Sequence, residues 1–171
     1  MDIRKIYEYA LQREYEGKRF FEENAERLSH ASAVDAFKKL AAEEQKHIEY
    51  IQRQIEMLDQ GHSHDLEMGE TMEQAGFFTA RASSEFIEQT VSEAMVPDLP
   101  VLRMAYLIER DFAEFYEKAA SRLALSGDEG ADGDARKVLE KLAYWERRHE
   151  ALFKQMHDRA FEEYAQMPWG G

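Results

Sequence analysis

Along residues 2–28, Ile3, Tyr7, Ala10, Glu14, Gly17, Phe21, Asn24 and Leu28 recur in alternating steps of four and three. That spacing is the seam of a long helix packed in a bundle. A second seam, Phe37, Leu40, Glu44, His47 and Ile51, predicts a helix from about Ser32 to about Gln60. Ser32, with Asp35 three residues on, is its expected cap, and Gly61 its stop. Residues 61–77 read as a connecting segment, and residues 79–95 as a shorter helix with Phe86 and Val91 among its apolar positions. Pro100 suits the first turn of a third long helix, with the seam Leu102, Ala105, Glu109, Phe112, Tyr116, Ala119 and Leu123. A Gly- and Asp-rich loop over residues 126–133 precedes a fourth helix, for which Asp134 is the expected cap. Its seam is Leu139, Leu142, Glu146, His149, Phe153, Met156 and Ala160, and residues 168–171 read as a tail.

Four long helices with short, long and short connections imply an all-α chain. The expected architecture is a four-helix bundle, with one crossover over residues 61–99 between the second and third helices. The hairpins cover about residues 2–60 and 100–165, and the 171 residues form a single domain.

The two hairpins are one unit used twice. Shifted by 95, Glu14 falls on Glu109, Phe21 on Tyr116, and Arg27-Leu28 on Arg122-Leu123. Shifted by 102, Leu40-Ala41 falls on Leu142-Ala143, Glu44 on Glu146 and His47 on His149. The chain's two Glu-x-x-His pairs therefore stand at equivalent points of the repeat. All six residues lie on seams where burial is expected, and four unpaired carboxylates in one layer would repel one another. Two divalent cations would neutralise them, with imidazole nitrogens as further ligands. Mixed carboxylate and imidazole ligation suits iron or manganese better than copper or a structural zinc site.

Composition narrows the alternatives. The absence of Cys excludes disulfides, thiolate zinc sites, iron–sulfur clusters and a rubredoxin-type iron site. A net charge of −13 argues against binding nucleic acid through its phosphates. The charged start, Met1-Asp2-Ile3-Arg4-Lys5, does not resemble a signal peptide, and no apolar run approaches a membrane span. The expectation is a cytoplasmic protein that acts neither on nucleic acid nor in a membrane.

A Glu from each of two helices and a Glu-x-x-His from each of the others resembles the ferritin-like di-iron carboxylate proteins. The stretch Phe37-Lys38-Lys39-Leu40-Ala41-Ala42-Glu43-Glu44-Gln45-Lys46-His47 is most similar to the rubrerythrin family. The resemblance covers the four long helices. It implies that Glu44 and Glu146 bridge two iron ions, with Glu14 and His47 completing one site and Glu109 and His149 the other. Two-domain rubrerythrins also carry a four-cysteine rubredoxin domain, and an additional Glu where this chain has Phe112. The six residues that remain are also the set of bacterioferritin-like sites.

Three functions follow as expectations. The first is a di-iron oxidoreductase reducing hydrogen peroxide or O2, with electrons from an external donor or from ferrous iron itself. The second is an iron-binding or storage protein with ferroxidase loading, and the third a metal-free scaffold bundle. A homodimer is expected by analogy with bundles of this kind. Tyr116 and Tyr106 are read as core residues, with a hydrogen bond to the metal ligands or a redox role as the alternative. His62 and His64 are read as exposed loop residues, His30 and His157 as surface residues. Trp145 and Met156 are read as packing, without haem.

Overall fold

The computed structural model describes residues 2–75, 93–125 and 130–168, and every regular element among them is helical. Helix α1 spans Ile3–Ala25, α2 Ala31–Asp59, α3 Leu66–Ala75, α4 Leu99–Ala124 and α5 Ala131–Gln166. A 3-10 helix, Glu93–Asp98, leads into α4. Helix α1 packs along α2, and α4 along α5, as two helical hairpins.

The hairpins bury their seams against each other at two apolar clusters. Phe21, Phe37 and Phe153 form the centre of one, with ring centroids 5.2 to 5.6 Å apart, and Leu102 and Ala105 join it from α4. Tyr7, Tyr50, Ile51, Tyr116, Leu139 and Leu142 belong to the other. On every long helix the acidic seam position falls between members of the two clusters. Glu14 lies between Ala10 and Phe21, Glu44 between Leu40 and Ile51, Glu109 between Ala105 and Phe112, and Glu146 between Leu142 and Phe153. Apolar packing above and below thus holds four carboxylates in one layer. All seam residues expected on α2, α4 and α5 are buried; on α1, Ile3 and Asn24 are only partly so, and Ala25 is buried instead.

The glycines carry two constraints. Gly61 stops α2 as expected, at φ +69°, a left-handed conformation that suits residues without Cβ. Gly17 gives Phe112 its space: a Cβ there would lie 2.8 Å from Phe112 Cε2. The two positions are equivalents in the repeat, so one half supplies the gap and the other the ring that fills it.

Several boundaries differ from expectation. Helix α2 begins at Ala31 with His30, not Ser32, as its cap; His30 Nδ1 accepts from Ser32 N at 3.2 Å. His30 is therefore half-buried rather than a surface residue. The buried Asp98 carboxylate decides the turn, accepting from Ser29 N at 2.7 Å and His30 N at 3.1 Å. Helix α5 begins at Ala131, with Gly130 rather than Asp134 at the cap position. Asp132 and Asp134 sit instead in its first turn, where the helix dipole favours negative charge.

The connecting segment also contains a helix that its sequence pattern did not suggest. Asp65 Oδ1 accepts from Met68 N at 3.1 Å, capping α3. Buried Gln54 holds this start to α2 by accepting from Asp65 N at 2.9 Å and donating to Asp65 O at 3.1 Å. Lys141 of α5 holds the helix itself, 2.8 Å from Glu70 and 2.6 Å from Glu73. The shorter helix expected over residues 79–95 lies outside the described residues, apart from 93–95 in the 3-10 helix. Of the expected loop at 126–133, residues 126–129 lie outside them, as do residues 169–171 of the tail. No described helix is long and apolar enough to cross a membrane.

Candidate metal centre

The structure brings all six expected ligands together. Glu14, Glu44, Glu109 and Glu146 are fully buried, and His47 and His149 are 3% and 2% exposed. Two overlapping groups form, Glu14, Glu44, His47 and Glu146, and Glu44, Glu109, Glu146 and His149, each with candidate ligand atoms within 4.8 Å of one another. Either group could hold a metal ion, and Glu44 and Glu146 belong to both. His47 Nδ1 lies 2.9 Å from Glu146 Oε1 and 3.3 Å from Glu14 Oε2. His149 Nδ1 lies 3.2 Å from Glu109 Oε2 and 3.4 Å from both Glu44 Oε1 and Glu146 Oε2. The two imidazoles stack with centroids 5.3 Å apart and planes within 7°.

The carboxylate oxygens are the informative atoms. Both oxygens of Glu44, both of Glu146, and Glu109 Oε1 are buried without a hydrogen-bond donor. The imidazole nitrogens stand near them as ion-pair partners, His47 Nδ1 beside Glu146 and His149 Nδ1 beside Glu44 and Glu146. Among the described residues, no Lys or Arg lies within 4.0 Å of the four carboxylates. Each orphaned buried acceptor costs about 1–3 kcal/mol, more when charged. A pair of divalent ions would satisfy all five, so the residues present fit such a pair.

Proton affinities follow from the same crowding. Burial, then the neighbouring carboxylates, push Glu44 and Glu109 well above the usual carboxylate range. Burial alone would lower His47 and His149, but the carboxylates around them raise both. Glu146 moves the other way: burial would raise it, but the two imidazoles hold it down. Without metal, the cluster is therefore a store of protons that any incoming cation would have to displace.

The surrounding side chains fix the ligands. Tyr116 OH donates to Glu14 Oε1, the hydrogen bond offered as the alternative to plain packing. Burial, then Glu14, push the Tyr116 hydroxyl well above its usual range, so it stays a donor. Trp145 stacks on His47 at 5.0 Å with planes within 14°, and it also meets Tyr50 at 5.5 Å. Met156 is buried in the apolar core. Tyr106 instead stands edge-on to His157 at 5.4 Å.

Two more histidines depart from expectation. His62 is exposed as expected, but His64 is buried, edge-on to Tyr7 at 5.8 Å, because the start of α3 folds back onto α2. Burial lowers its pKa, and it takes no part in the cluster. His157 is not a surface residue either: it sits half-buried between Tyr106 and Phe161.

A narrow cavity of about 20 Å³, room for one water molecule, reaches the two imidazoles. Its walls pair across the repeat at offset 102: His47 with His149, Lys46 with Arg148, and Glu43 with Trp145. Met72 and Glu73 of α3 complete it and break the symmetry. Glu43, Lys46, Arg148, Met72 and Glu73 had not stood out in the sequence, although the repeat already pairs three positions on α2 with three on α5.

The described residues thus define a helical fold with a buried Glu/His cluster that could hold a metal ion. No family model, curated protein or solved structure matches the chain.

Proposed function

We propose that the chain is a di-iron oxidoreductase of the rubrerythrin-like type on a ferritin-like four-helix bundle, reducing hydrogen peroxide or O2. The observation that carries this reading is the set of five donorless carboxylate oxygens on Glu44, Glu109 and Glu146, in a layer shared by two equivalent Glu/His groups. Glu14 and His47 would hold one ion, Glu109 and His149 the other, with Glu44 and Glu146 between them. The donor set favours iron or manganese. Two iron ions held there would supply one electron each, enough with two protons to reduce hydrogen peroxide to two waters or O2 to hydrogen peroxide.

The chain's own residues set the conditions. Tyr116 orients Glu14, and the stacked Trp145 fixes the plane of His47. The cavity beside the imidazoles has room for a molecule near the size of water, which suits peroxide or O2. Phe112, packed on Gly17, stands where the two-domain relatives place a further carboxylate, so the ligand set stays at six. These 171 residues contain no Cys and so no rubredoxin centre, and electrons would come from outside them or from ferrous iron.

Anaerobic loading with two equivalents of Fe(II), followed by peroxide or O2 in a stopped-flow spectrometer, tests this reading. The expected result is ferric absorbance rising faster than for free Fe(II), with at least one of the oxidants. Rates equal to free iron with both would sink it.

A further inference from the structure

The repeat relates the two halves of the cluster without making them equal. Glu14 and Glu109 are equivalent positions, and each faces an imidazole of its own hairpin through Oε2, at 3.3 Å for His47 and 3.2 Å for His149. Their other oxygens differ. Glu14 Oε1 accepts a hydrogen bond from Tyr116, whereas Glu109 Oε1 is buried with no donor. The cause is legible in the chain: the equivalent of Tyr116 is Phe21, which has no hydroxyl. Phe21 spends its ring on apolar packing, 5.3 Å from Phe37 and 5.6 Å from Phe153. Two equivalent carboxylates therefore share one phenol donor.

We infer that the cluster takes up its two divalent ions in unequal steps, the Glu14–His47 position filling first, with Tyr116 as the positioning residue that sets the order. This rests on the metal-binding reading above. The Tyr116 hydroxyl holds one oxygen of Glu14 before any ion arrives and leaves Oε2 turned toward His47. Glu109 has no phenol partner: its Oε2 meets His149 at 3.2 Å, and its Oε1 is left for an ion to fix. Outer partners that orient a ligand are worth roughly 10–100-fold in metal affinity. Tyr116 acts through Glu14 and touches no ion itself.

Calorimetric titration of the metal-free protein with Mn(II), without oxidant, tests the inference. Wild type is expected to show two steps separated by about tenfold or more. Tyr116→Phe keeps the ring and loses only the hydroxyl; it is expected to weaken the tighter step by about 10–100-fold and leave the other unchanged. Tyr106→Phe, which removes a hydroxyl elsewhere on α4, is expected to change neither step. Equal steps in wild type, or a Tyr116→Phe variant whose tighter step is unchanged or tightened, would overturn the inference. Should Tyr116→Phe fail to fold, electron paramagnetic resonance of wild type at one equivalent of Mn(II) decides. Isolated single ions support unequal steps, and a mixture of empty, singly and doubly loaded chains overturns them. No Mn(II) uptake at all would overturn the metal-binding reading itself, a result distinct from two equal steps.

Discussion

Replacing Glu44 by Met is expected to abolish two-ion binding and, at the same time, to make the metal-free protein more stable. Glu44 is fully buried, neither of its oxygens accepts a hydrogen bond, and Glu146, Glu14 and Glu109 all raise its proton affinity. Without an ion, this carboxyl contributes desolvation and repulsion with little to offset them. Met has similar length and no polar atom, and it adapts to irregular space. Exchanging buried charged groups for well-packed apolar ones runs from neutral to a gain of about 1–4 kcal/mol, provided no partner is left unpaired; here His47 and His149 keep Glu146 and the carboxylate of their own hairpin. For a chain of this size that is roughly 2–4 °C of melting temperature per kcal/mol. Loss of a residue common to both groups removes a ligand from each ion. Thermal melts in chelator, beside metal content after loading, check both halves. A variant that is less stable without metal, or that still binds two ions, contradicts the account.

The second large effect is on pH. The metal-free protein is expected to lose stability as pH rises from about 5 to 8, by on the order of 2–5 kcal/mol. Glu44, Glu109, His47 and His149 all bind protons more tightly in the fold than in the unfolded chain. Such groups contribute stability that is complete below their unfolded pKa values, 4.5 for Glu and 6.5 for His, and lost as pH climbs through the raised folded values. Glu146 has the opposite sign: its stabilising share is present above 4.5 and lost only as pH falls toward its depressed folded value. Four groups thus outweigh one across the neutral range. Saturating Mn(II) replaces the protons and should reverse the trend, because binding strengthens as the ligands deprotonate. Urea unfolding at pH 5 and pH 8, with chelator or with Mn(II), measures both slopes. Glu44→Met should flatten the chelator slope, separating the cluster from general repulsion in an acidic chain. A metal-free protein more stable at pH 8 than at pH 5 would contradict the charge distribution described here.

The long helices were legible because each carries a seam whose spacing requires one buried face, and every seam position on α2, α4 and α5 is buried. The six site residues were legible because the hairpin is duplicated, so Glu44-x-x-His47 and Glu146-x-x-His149 support each other in a way neither could alone. Helix α3 was not legible. Its apolar positions, Leu66, Met68 and Met72, are few, and it is held by partners distant in sequence: Gln54 on Asp65, and Lys141 on Glu70 and Glu73. The burial of His64 follows from that docking and was hidden for the same reason. The choice of His30 over Ser32 as the α2 cap was equally non-local, since Asp98 fixes the turn from the far side of the crossover. Local pattern exposed the parts of the chain that satisfy themselves, and missed those whose partners arrive from elsewhere.

The most direct test is the metal-to-protein ratio, by mass spectrometry, of protein purified without chelator, loaded anaerobically with Fe(II) or Mn(II) and freed of excess ion. The account expects two ions per chain for wild type, with a melting temperature that falls when chelator removes them. Fewer than one ion per chain, with melting unchanged by chelator, would contradict it and leave an apolar bundle with an unexplained layer of buried carboxylates.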